Sequence, residues 1–381
     1  MGRKILFIAI LVGLIFPLSV WAQTPIKVGL LSGLTGFFAT IGTRVQKGVE
    51  FTISEINAAG GINGQPIQLV SIDDENDSSK GVLGFKRLAS RDNVTAIISA
   101  SGTGPTIAIT EVGKDYKVPT IVTIGSGMAV MRAKNPYFFR VRNNEEQQVE
   151  KCVSFIKKNG YKHVAVLYDN SSLGLTAQPL ILATLKKAGL DPVAAESFKV
   201  GAMDMTAQAL KVQQAKADVI LFWGMGPDGV TLCKTLKQLN MPQKVVGNDG
   251  LTMEVVLKIG ADVAEGRLYG CSNIQRSKPK FKEFEARYLK KFDLGSNTEV
   301  RTEAQGYDAM MVLAEGLKRS RGKGGEELML ALESIKNFET VIGREGSTIS
   351  FEPGVREGQR SSELALVLYT VKDKKWVEIL D

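Results

Sequence analysis

Short apolar runs alternate along this chain with stretches in which apolar residues return every three or four positions. The runs fall into two series, one at residues 26–31, 67–72, 95–98 and 119–124, the other at 163–168, 218–223, 245–247 and 267–271. Uninterrupted stretches such as Val219-Ile220-Leu221-Phe222 suit parallel strands, which helices cover on both faces. Between the runs, Val45, Val49, Ile53 and Ile56, and again Leu232, Leu236 and Leu239, mark one face of a helix. Gly60-Gly61, Gly160 and Gly189 stand where such helices should stop. Strand alternating with helix predicts a doubly wound α/β sheet, and the return of the series after a break at residues 140–145 predicts two such lobes. The end of the chain follows another pattern. Residues 348–351 and 364–370, then Asp373-Lys374-Lys375 leading into 376–380, read as antiparallel strands with a hairpin. No low-complexity linker separates the two series, which predicts several direct strand crossings between lobes instead of one tether.

The length of 381 residues agrees with two domains of roughly 100–200 residues each. A hydrophobic share of 44% and a charged share of 23% are those of a water-soluble globular chain. The first 22 residues do not share the pattern. Arg3 and Lys4 precede an apolar stretch at 5–18, and Val20-Trp21-Ala22 offers small residues at the two positions a signal peptidase reads. The stretch falls short of the ~20 residues a membrane span needs, so a cleaved secretory signal and a periplasmic protein are expected. The formal charge of +8 is spread over helix faces such as Lys186-Lys187 and Lys290-Lys291, with no aromatic-interleaved basic arm, which argues against a nucleic-acid partner. Cys152, Cys233 and Cys271 lack metal-ligand spacing and are expected to be buried or free thiols, although an oxidising compartment leaves one bridge open.

Enzymatic parts are missing. His163 is the one histidine and begins a strand, where it is expected to pack. Neither a G-x-S-x-G elbow nor a phosphate-binding P-loop occurs, and Gly102-Thr103-Gly104 opens like a dinucleotide fingerprint but continues to Ile107 where the third glycine belongs. No cofactor is implied. Ser101-Gly102-Thr103-Gly104-Pro105-Thr106 follows a strand and opens a helix, with Pro105 suited to the first turn. Such a turn directs free N–H groups and the positive helix end outward, a seat for an anion; it also reads as a plain N-cap. Ile124-Gly125-Ser126-Gly127 and Gly247-Asn248-Asp249-Gly250 end later strands and read either as site loops or as ordinary turns.

The segment from Ile26 to Gly36, the stretch Asn57-Ala58-Ala59-Gly60-Gly61-Ile62-Asn63-Gly64, the pair Asp73-Asp74 and the later Gly306-Tyr307-Asp308-Ala309 together resemble the leucine/isoleucine/valine-binding protein family. The resemblance implies a type I periplasmic-binding-protein fold: two Rossmann-like lobes joined by three crossover strands around a ligand cleft. It assigns residues 23–143 and about 273–350 to the N-terminal lobe, and 144–272 and about 351–381 to the C-terminal lobe. It implies that Thr103 and Ser126 hold a ligand carboxylate, and that the Ile124 carbonyl and Asp249 hold an ammonium. Ile41, Leu173 and Met225 stand where the family has aromatic rings, implying an aliphatic cleft; Thr302 and Glu303 are further candidates. The implied function is reversible capture of a small amino acid, branched-chain or otherwise apolar, by a monomer that delivers it to the membrane permease of an ABC transporter. A non-amino-acid carboxylate in the same site, aromatic or short aliphatic, and a ligand-sensing domain are the alternatives.

Overall fold

Residues 24–296 and 298–379 are described by a computed structural model, so the expected signal segment lies outside the described residues. Strands β1 (Ile26–Ser32), β2 (Ile67–Asp73), β3 (Ala96–Ser99), β4 (Thr120–Val122) and β5 (Phe138–Arg140) form one sheet, in the order β2-β1-β3-β4-β5, with every pair parallel. Strands β6 (His163–Asp169), β7 (Asp191–Phe198), β8 (Val219–Trp223), β9 (Lys244–Gly247) and β10 (Leu268–Ser272) repeat that parallel order as β7-β6-β8-β9-β10. A two-stranded ladder of β11 (Phe338–Glu339) and β12 (Thr348–Ile349) follows, and the antiparallel hairpin of β13 (Val367–Lys372) and β14 (Lys375–Ile379) extends the second sheet beside β10. Asp373 and Lys374, both at positive φ, make the tight turn whose twist matches the strands it joins.

Alternate residues of each strand feed cores on opposite faces. Leu30, Ile98, Ile121 and Phe139 face the helices Ala39–Ala58 and Arg301–Arg319, whereas Leu31, Ile97, Val122 and Phe138 face Ser78–Ser90 and Thr103–Val112. Both faces are thereby covered, which is why these strands read as continuous apolar runs. The second sheet is layered alike, with Leu167, Ile220 and Phe222 on one face and Val166, Leu221 and Trp223 on the other.

The chain passes between the sheets three times. It leaves β5 for the helix Glu145–Lys158, which packs beneath β9 and β10. It returns after β10 into the helix Pro279–Lys291, whose Phe284 meets Phe51 of the first lobe. It crosses last between Phe351, edge-on to Phe139, and the short helix Ser362–Ala365, which packs on Glu145–Lys158.

The Gly306-Tyr307-Asp308-Ala309 motif has a packing role. A Cβ on Gly306 would stand 2.2 Å from the Val45 carbonyl oxygen, and one on Gly48 would stand 2.0 Å from that of Glu303. The two long helices therefore cross backbone to backbone. Asp308 accepts the N–H groups of Val341 and Ile342 at 3.0 and 2.8 Å, and burial pushes its carboxyl up to about 6. Gly306→Ala should force these helices apart at a cost of about 1–3 kcal/mol, read as a lower midpoint in urea unfolding.

Some expectations need correction. Strands β5 and β7 were not legible. The first is three residues long and carries an arginine; the second lies at a sheet edge with alternating exposure and no apolar run. Residues 362–365 are helical before the last hairpin begins. His163 is exposed instead of packed, with Nδ1 3.3 Å from Asp218, because the strand opens at the rim of the sheet. All three cysteines are buried free thiols, and the Sγ atoms of Cys152 and Cys271 stand 3.3 Å apart.

Candidate functional site

The carboxyl ends of the parallel strands of both sheets point toward one cavity of about 440 Å³. Open α/β sheets place ligands at such a position, beside the strand where the winding reverses. That strand is β1 in the first sheet and β6 in the second. The first lobe contributes the loops after β1, β3 and β4; the second contributes those after β6, β8, β9 and β10. Thr103, Ile124, Ser126, Ile41, Leu173, Met225 and Asp249 all line the cavity. Thr302 lines it too, whereas Glu303 is turned onto Arg44, whose Nε donates to it at 2.9 Å.

Gly102 caps the helix Thr103–Val112 with extended backbone and no side-chain cap bond. Its first-turn N–H groups are consequently not taken by a capping side chain, and they add to the positive helix end facing the cavity. Thr103 is the first helical residue; the capping reading of this turn belongs to Gly102. Thr103 Oγ1 accepts the Gly127 N–H at 3.3 Å, and a Cβ on Gly127 would lie 2.4 Å from Thr103 Cγ2, so the two site loops need a glycine to meet. Asn76 steadies the turn from outside, its Oδ1 accepting the Gly102 N–H at 2.8 Å.

Two arginines just after and at the end of β5 organise the second loop. Arg140 is wholly buried. Its Nη1 donates to the carbonyls of Gly125, Ser126 and Gly127 at 3.1, 2.7 and 2.9 Å, while Nε and Nη2 engage Glu357. Arg142 faces the cavity. Its Nη1 donates to the Ile124 carbonyl at 2.9 Å, its Nη2 pairs with the Asp249 carboxylate, and its Nε donates to the Asn143 carbonyl at 3.2 Å. Asp249 is further fixed by its own N–H, which donates to Gln148 Oε1 at 3.0 Å.

The lobes also meet through charges at the cleft. Arg44 of the first lobe pairs with Glu254 of the second at 2.8 Å, and Arg301 donates to the Thr252 carbonyl. Glu145, the first residue after the crossing at Asn144, receives Trp223 Nε1–H at 3.3 Å and the Met128 N–H, and burial pushes its carboxyl up to about 7. The lining is not wholly aliphatic. Phe37 and Phe38 line the cavity from the turn after β1, where Gly36 adopts a positive φ, and so supply rings that Ile41, Leu173 and Met225 do not. Sequence reasoning missed Arg140, Arg142, Arg44 and this aromatic pair. Two arginines amid the apolar Phe138, Phe139 and Val141 were the available signal.

Two α/β lobes of matching strand order, closed over one cavity and linked by three passages of chain, define a two-lobed solute-binding protein. The chain belongs to the periplasmic binding protein family, whose family model matches residues 25–357. It is 26% identical over 328 residues to the Leu/Ile/Val-binding protein BraC3 of Rhizobium johnstonii, a match covering 85% of this chain and 87% of that protein. A branched-chain amino acid transporter substrate binding protein from Streptococcus pneumoniae, solved with isoleucine, shares the fold at a TM-score of 0.80 and 23% identity over 93% of this chain and all of that one (100%). An ABC transporter solute-binding protein from Rhodopseudomonas palustris, solved with 4-hydroxybenzoate, does so at 0.80 and 18% over 93% and 95%. These relatives are solute-binding proteins, not enzymes, and the resemblance read from the sequence motifs holds.

Proposed function

We propose that this chain is the periplasmic capture component of an ABC importer, binding a small solute through its carboxylate and closing two lobes over it. The observation that carries this reading is the convergence of Thr103, Ser126 and the N-terminus of the helix Thr103–Val112 on one cavity shared by both lobes. A carboxylate seated there receives hydroxyl and N–H donors at the positive end of a helix. The cavity is of a size for a solute of amino-acid or benzoate dimensions. Closure buries that solute and presents a single shape to the permease, and the pairs Arg44–Glu254 and Arg301–Thr252 reach from one lobe to the other across the cleft. The relatives bound to isoleucine and to 4-hydroxybenzoate support the transport role and leave two ligand classes to compare.

Thr103→Ala and Ser126→Ala should each weaken binding about ten- to a hundredfold, the loss of one charge-assisted hydrogen bond of roughly 1.5–3 kcal/mol. Both folds should survive, because Thr103 opens a helix and Ser126 lies in a loop, each lining the cavity and outside the strands. Calorimetric titration with the solute identified by mass spectrometry of the purified protein provides the measurement. Unchanged affinity in both variants would place the carboxylate elsewhere.

A further inference from the structure

We propose that the solute is a carboxylic acid without an α-ammonium group, because Arg142 is a built-in cation already paired with the acceptors an ammonium would use. This inference rests on the carboxylate reading above and narrows it to one chemical class.

An ammonium ion brings three donors and a full positive charge into the cleft. Enclosed away from water it needs a counter-charge and further acceptors, since an unpaired buried charge is strongly disfavoured. The Ile124 carbonyl and the Asp249 carboxylate are the pair beside Ser126 that such a group would require. Arg142 holds both, and the Asn143 carbonyl as well, through separate nitrogens of one planar guanidinium. Its side chain is only 4% exposed, so it is packed into this seat and does not merely swing across it. An arriving ammonium would meet the guanidinium at close range and would have to share with it the Ile124 carbonyl and the single charge of Asp249, whose Oδ2 the guanidinium takes.

The other carboxylates that line the cavity are engaged as well. Glu254 is bound by Arg44 and Lys258, and Glu299 by Arg276 and Arg301. Asp169 accepts the N–H and O–H of Ser171 and the N–H of Gly174, and Asp77 caps the helix Ser78–Ser90 from an exposed position. Every lining carboxylate therefore has a protein donor. On the anionic side, by contrast, the first turn of Thr103–Val112 carries no capping side chain. The site thus offers donors to a negative group, while each of its carboxylates is already shared with a protein donor. Phe37 and Phe38 supply aromatic surface for the rest of the solute.

The test compares pairs that differ only in the ammonium. A thermal-shift and calorimetric panel sets leucine, valine and phenylalanine against 4-methylpentanoate, 3-methylbutanoate and 3-phenylpropanoate, with benzoate and 4-hydroxybenzoate added. Wild type should bind acids at least tenfold tighter than their amino-acid partners. Arg142→Ala should shrink that ratio by tenfold or more, because it frees Ile124 and Asp249 for the ammonium. Amino acids winning in wild type, or a ratio that Arg142→Ala leaves unchanged, would overturn the inference. Silence across the whole panel together with a co-purifying neutral solute would instead overturn the carboxylate reading beneath it. If Arg142→Ala does not fold, a crystal structure of wild type with its best-bound solute decides. Arg142 should still bridge Ile124 and Asp249, and a ligand nitrogen found in its place would refute the proposal.

Discussion

Arg140→Met should cost about 3–5 kcal/mol of stability and loosen the ligand loop at the same time. The guanidinium is fully buried and is the common partner of three consecutive carbonyls and of Glu357. Removing it leaves those oxygens without their shared donor and leaves Glu357, whose side chain is 24% exposed, without its counter-charge. Unpaired buried acceptors cost roughly 1–3 kcal/mol each, and Glu357 adds less because water reaches it. Arg140→Lys should recover only part of the loss, since a point charge on a single stem cannot reach three carbonyls and span a carboxylate together. Urea unfolding followed by circular dichroism supplies the measurement, with solute titration on the folded fraction. A midpoint within experimental error of wild type would show that the loop is held by something else. Affinity should fall with stability here, because the Ser126 carbonyl that Arg140 grips also accepts the Glu145 N–H at 2.9 Å and so ties the ligand loop to the crossing between lobes.

The stability of the protein should decline as pH rises from about 4.5 to about 7, and Glu145 should account for a large share of the decline. Burial is the main cause of its raised pKa; the hydrogen bonds from Met128, Trp223 and Thr176 and the charge of Arg140 oppose it without cancelling it. Because the folded protein holds this proton more tightly than the unfolded chain, it carries more bound protons across that window, and each increment of pH then favours unfolding. A displacement from 4.5 to about 7 corresponds to about 3 kcal/mol. Asp228 and Asp308, both pushed up to about 6 by burial, act in the same direction, so the comparison between wild type and variant isolates Glu145. Glu145→Gln keeps an acceptor for Trp223 and cannot ionise. It should match wild type near pH 4 and be more stable by about 3 kcal/mol near pH 8. Parallel stability curves for the two proteins would remove Glu145 as the source.

The pattern along the chain was sufficient for two α/β lobes, and the reason is local. A strand covered on both faces must be apolar at every position, so β1, β3, β6 and β8 announce themselves as runs. Gly60, Gly61, Gly160 and Gly189 take the positive φ values at which helices end, and the last hairpin turns on two residues of that conformation. The site loops were legible for a related reason. Ligands gather at the carboxyl ends of parallel strands, so the turns that open with Thr103, Ser126 and Asp249 are fixed in place once the strands are assigned.

What only the tertiary structure decided is which charges meet. Arg142 and Asp249 are 107 residues apart, and Arg44 and Glu254 are 210 apart. No periodicity links them, because their contact depends on how one lobe is set against the other. The resemblance alone left Asp249 free for a ligand ammonium; the docking of the lobes brings Arg142 onto it. The same holds for Phe37 and Phe38, which line the cavity from a short 3-10 helix, and for Glu145, whose unusual proton affinity arises from being enclosed between a loop of one lobe and Trp223 of the other. Sequence pattern reports how deeply each segment is buried along its own element. Burial between elements distant in the chain sets the charge balance of the cleft.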